Sequence, residues 1–143
     1  MSATTVEAIR DRVCSLLVTT PFAYVEAVTP FSFDLQPEGV IDQALRIETE
    51  FGDVIGGMGY AETRVDLLRL WVARLHADDP RAVYRTLLTD ATSIAAAVVL
   101  DGATGGGDYH VPDEGRGWQI QQQPGQAFAV LRLTLPVDYE AQL

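Results

Sequence analysis

The chain has 143 residues, 48% hydrophobic and 21% charged, which is apolar material for one core and a single domain, 1–143. Its 20 Asp and Glu face 10 basic residues, all of them arginine, giving a formal charge of −10 and an isoelectric point near 4.4. Such a field disfavours phosphate-backbone and anionic-membrane binding, and the absence of lysine excludes Schiff-base and P-loop lysine chemistry.

The lone Cys14 can make neither an internal disulfide nor a Cys-based zinc site, and with only His76 and His110 a metal would rest mostly on carboxylates. The longest uninterrupted apolar run, Ile94 to Leu100, is far short of a membrane span, and Glu7, Arg10, Asp11 and Arg12 interrupt any leader-like pattern. The expectation is a soluble, acidic domain from a reducing compartment, without cofactor or metal.

In chain order, Thr4-Thr5-Val6-Glu7 fits a capping box, and Val6, Ile9, Val13, Leu16 and Leu17 form one stripe of a helix from about Thr5 to Val18. Pro21 stops it. Phe31, Phe33 and Leu35 fit one face of a short edge strand between Pro30 and Pro37. From Asp42 to Phe51, Leu45, Ile47, Thr49 and Phe51 alternate with Arg46, Glu48 and Glu50, the period of a half-buried strand. The glycine-rich Gly52 to Gly59 then reads as a mobile hairpin loop.

A second strand follows from Glu62 to Leu75, with Val65, Leu67, Trp71 and Ala73 on one face and Leu68, Leu70 and Val72 on the other, as a central strand would show. Asp78-Asp79-Pro80 opens a helix to about Leu100, which Asp101-Gly102 is expected to end in a left-handed stop. Its Arg81, Arg85, Thr89 and Thr92 point away from the sheet. Tyr109, His110 and Val111 fit a short strand, and Trp118 to Gln123 and Gln126 to Val137 fit a hairpin turned by Pro124-Gly125. The sum is an α+β domain: a mainly antiparallel sheet packed with two helices, in the order helix, strands, helix, hairpin.

Candidate chemistry is sparse. Glu48 and Glu50 share a strand face about 7 Å apart, a spacing that paired catalytic carboxylates can use, although nothing apolar beside them in sequence separates their roles. This leaves a small carboxylate-dependent enzyme as the alternative reading. His110 lies near Asp108, Tyr109 and Asp113, but a loop histidine is the simpler account; Cys14 reads as a buried thiol, and His76 as a capping or packing group. Neither Gly56-Gly57-Met58-Gly59 nor Gly105-Gly106-Gly107 has the context of a phosphate cradle. Trp71 and Trp118 are assigned to core faces rather than to a nucleic-acid platform.

The capped first helix, the strands Leu45 to Phe51 and Arg64 to Leu75 with a glycine-rich connection, the Asp79-Pro80 helix and a hairpin ending at Leu135-Pro136-Val137 together resemble the tail terminator proteins of long-tailed bacteriophages. That resemblance implies a structural virion protein without enzymatic activity, made in the host cytoplasm and placed at the tail–neck junction. It would form a hexameric ring that caps the tail tube and joins it to the head, with the tail tube protein and a head–tail connector protein as partners. Gly52, Asp53, Val54, Ile55, Gly56, Gly57, Met58, Gly59 and Tyr60 become the candidate assembly loop. Glu48, Glu50 and Asp53 become candidate channel-facing acids that keep passing DNA from adsorbing. Arg69, Arg81 and Arg85 are candidate interface arginines, since a guanidinium can bind a neighbour's carboxylate in two-pronged fashion. Another connector or tube-type ring protein fits the same pattern.

Overall fold

The computed structural model describes residues 4–19, 21–26, 42–57, 62–75, 79–105, 108–121 and 128–141. Helix α1 spans Val6–Val18, strand β1 Val25–Glu26, β2 Ala44–Gly57, β3 Glu62–Leu75, helix α2 Pro80–Leu100, β4 Gly117–Gln121 and β5 Phe128–Ala141. The strands form one sheet in the order β1-β2-β3-β5-β4, antiparallel except where β1 runs parallel to β2. The expected α+β class and element order are observed. The proposed Phe31, Phe33, Leu35 strand, His76 and the Pro124-Gly125 turn lie outside the described residues.

Both helices lie on one face of this sheet. Ile9, Val13 and Leu17 of α1 and Leu87, Ile94 and Val98 of α2 share a core with Leu45, Ile47, Leu68, Leu70, Val72, Leu131, Leu133 and Leu135. Strand parity explains the choice: alternate residues of β2, β3 and β5 present this continuous aliphatic set, while the intervening positions carry Arg46, Glu48, Arg69, Trp71 and Arg132. Between Pro80 and Thr104 the chain is long and apolar enough, by length and composition, to cross a membrane. Here its most apolar stripe is spent on the sheet, and Arg81, Arg85 and Thr89 are exposed.

Several local expectations are corrected. The α1 cap is Thr5, not Thr4: its Oγ1 accepts from Ala8 N at 3.1 Å, while Thr4 N donates to the Glu140 carbonyl at 2.8 Å. With Thr4 tied to β5, the Thr4–Glu7 box cannot form. Gly52 to Gly57 continue β2 rather than forming a loop; Met58, Gly59 and Tyr60 lie outside the described residues. Glycine serves close approach here, because a Cβ on Gly52 would lie 1.9 Å from the Val65 carbonyl oxygen, at a register shift between Glu50 and Asp53.

Asp101 keeps right-handed helical geometry, φ −60° and ψ −44°, and the chain runs on through a wider π-type turn, Asp101–Gly105. Gly102 is needed there because a Cβ would meet the Tyr109 ring at 2.9 Å and its carbonyl oxygen at 3.0 Å. Strand β5 also passes Pro136 and reaches Ala141. Pro136 falls beyond the Gly117–Thr134 end of the β4 ladder and before the His110–Asp138 bridge, so its missing N–H interrupts neither.

Candidate assembly surface

Opposite the helices, register sets the side chains in rows. Arg46, Trp71, Arg132 and Gln119 cross the sheet from β2 to β4, and Glu48, Arg69 and Thr134 form the next row. This corrects the assignment of Trp71 to the core: its half-buried indole lies between the Arg46 guanidinium, 4.5 Å from the ring centroid, and that of Arg132, 5.4 Å away. The Trp71 Nε1–H has no acceptor among the described residues. Cation–π contact keeps these arginines over the ring while leaving the face polar.

Glu50 accepts from Arg69 at 2.6 Å, and Glu48 binds the buried Arg46. The two carboxylates share the face opposite the helices, as their spacing predicts, and each is held by an arginine rather than by the other. The backbone of Asp53 pairs in register with Val65. Arg81 and Arg85 are exposed on the first half of α2, away from Arg69, so the candidate arginines occupy two surfaces. His110 is exposed, and its backbone, not its imidazole, pairs with Asp138 at 2.9 and 2.7 Å. Asp113 pairs with Arg116 at 3.2 Å, and among the described residues no group of three or more His, Cys, Asp and Glu could hold a metal.

Three buried or part-buried aspartates instead fasten the helix side, each to a tyrosine and an arginine. Asp90 accepts from Tyr24 Oη at 2.7 Å and from Arg74 Nε and Nη2 at 2.9 and 2.7 Å. Asp101 accepts from Arg12 at 2.7 and 3.0 Å and from Tyr109 Oη at 2.8 Å. Asp66 accepts from Tyr139 Oη at 2.6 Å and Gly52 N at 2.8 Å, with Arg64 at 3.7 Å. Arg12 holds the Asp101 carboxyl below its usual range, and burial pushes the Tyr24 and Tyr109 phenols up, Tyr139 to about 12. Burial, then Glu26, raises the Cys14 thiol to about 11, the state of a packing group rather than a nucleophile.

Recesses open on the helix side among the described residues. One, about 540 Å³, lies at the start of α1 among Arg10, Thr49, Phe51, Arg64 and Tyr139. Another, about 260 Å³, lies between α2 and β4 among Leu88, Thr92, Ala95, Trp118 and Leu133. Trp118, also assigned to the core by its strand, is 55% exposed because α2 does not reach over the sheet edge. Phe51 is 75% exposed although it continues the inward alternation, since it lies at the rim of the first recess. A scan against protein-family models and a search of curated proteins return no match to this chain.

Proposed function

We propose that the protein is a structural, non-enzymatic ring component of a virion, of the tail terminator kind, which caps a tail tube and receives the head. The observation that carries this reading is the contrast between the two faces of the sheet. Its helices cover one face, while the other combines a small buried apolar cluster, Ala44, Ala73 and Phe128 beside the buried Arg46, with the part-exposed Trp71, Arg132, Glu48 and Arg69 and the exposed Glu50. Repeated around a closed ring, such faces would meet neighbours or line a passage, and the chain's −10 charge would keep a DNA duplex from adsorbing. A connector or tube-type ring is the near variant. Negative-stain imaging and native mass measurement of the full chain test the reading: six-fold rings, or growth onto isolated tail tubes, support it, and a monomer at every concentration that ignores tubes rejects it.

A further inference from the structure

Among the described residues the sheet ends in two unlike borders. Strand β4 has five residues, Gly117–Gln121, with neither charge nor proline nor register shift, and Trp118 stands exposed beside the recess under α2. Natural edge strands usually carry charge, proline or a bulge to discourage pairing, and β4 has none of these. On the far side, β2 is exposed at Thr49, Glu50, Phe51 and Val54 and carries two register shifts. Among the described residues only Ala44 and Leu45 of β2 have a strand on that side.

The flanks also differ in sign. Around β4 stand Arg116, Arg132 and, on the helical stripe of Leu88, Thr92 and Ala95, Arg81 and Arg85, against Asp113 and Glu114. Around β2 and α1 stand Glu7, Asp11, Glu26, Glu48 and Glu50, against Arg10, Arg12, Arg46 and Arg69. In a chain of net charge −10, a border with more arginines than acids facing one with slightly more acids than arginines favours head-to-tail contact.

We propose that the occupant of the β4 border is the β2 border of a second copy of this chain. The two sheets join edge to edge, with Trp118 and the recess under α2 receiving Phe51 and Val54. Because the borders are unlike, the contact is heterologous and repeats around a ring rather than closing a two-fold dimer. The proposal rests on the ring reading above and names the residues that would make its contacts. Trp118 and Phe51 would anchor it, and Arg81 and Arg85 would steer it against Glu7 and Asp11.

The test uses sedimentation and native mass measurement of the full chain. Trp118→Glu changes an exposed residue and should weaken association about tenfold or more while leaving the thermal transition in place. Arg81→Glu with Arg85→Glu should weaken it too, and adding Glu7→Arg with Asp11→Arg in the same chain should restore it. In a Cys14→Ser background, Gln119→Cys with Glu50→Cys should give a covalent ladder ending in a closed ring. Intact rings in Trp118→Glu with no ladder would overturn the edge contact while the ring reading stands; a wild type that is always a monomer overturns both. Covalent dimers from Gln119→Cys alone would show β4 pairing with itself, which also refutes the proposal.

Discussion

The two faces of the sheet use the same residue types to opposite effect. On the helix side, Asp66, Asp90 and Asp101 each gather a tyrosine and an arginine, and Asp66 and Asp90 are themselves buried; on the other face, Glu50 and Arg69 pair within reach of solvent. Desolvation makes the first set expensive to break, because a partner left alone is buried and uncompensated. Screening makes the second cheap. The monomer thus depends on one set of ionic contacts, and the other is available for whatever the protein meets.

Asp90→Ala puts the greatest strain on this contrast. It strands the Arg74 guanidinium and the Tyr24 hydroxyl in an interior where the Arg74 and Asp90 side chains are 15% and 6% exposed, and should cost about 3–5 kcal/mol in urea unfolding. A loss no larger than that of a surface pair would erase the distinction between the faces. Gly52→Ala comes next. Its methyl meets the Val65 carbonyl and displaces the N–H that Asp66 accepts, so about 1–3 kcal/mol should go, with β2 losing amide-exchange protection around the bulge.

These residues also mark where local reading ends. The span Glu62–Leu75 and the Asp79 cap of α2 were legible because alternation and capping are written in adjacent positions. Glycine at Gly52 and Gly102 has a local meaning, loop or left-handed stop, and here that meaning yields to Val65 and Tyr109, which are brought close only by the fold. Trp71 shows the same limit: parity separated it from Leu70 and Val72, but which face the helices cover is a tertiary decision. The aspartate contacts join residues 66, 73 and 89 positions apart, so composition could count their members without pairing them. The candidate surface was legible as residues, Glu48, Glu50 and Arg69, and not as a surface.

Stability against pH sharpens the comparison, since the shifted groups named above lie on the helix side. Asp101 titrates below its ordinary 3.8, so its contribution is present above that value and fades as pH falls through the folded one. Cys14 and Tyr139 ionise near 11 and 12 in the fold against ordinary values of 9.0 and 10.0. Their contribution is complete below 9.0 and declines as pH rises from there. Urea midpoints should therefore form a plateau between the carboxylate range and pH 9.0, and Tyr139→Phe should soften the alkaline fall. Stability that climbed above pH 10 would contradict the assignment.

The smallest expected effect bears most on function. Glu50 is 51% exposed and Arg69 30%, so Glu50→Gln should change the unfolding free energy by about 0–1 kcal/mol and lose even that in molar salt. If the face opposite the helices meets neighbours or passing DNA, the same substitution should alter salt-dependent association rates, because a screened pair contributes little to a monomer yet adds to the field an approaching surface feels. Thermal unfolding and association measured on one preparation separate the two contributions. An unfolding loss as large as that of Asp90→Ala would place Glu50 among the groups that hold the fold, and the face opposite the helices would then belong to the monomer rather than to an assembly.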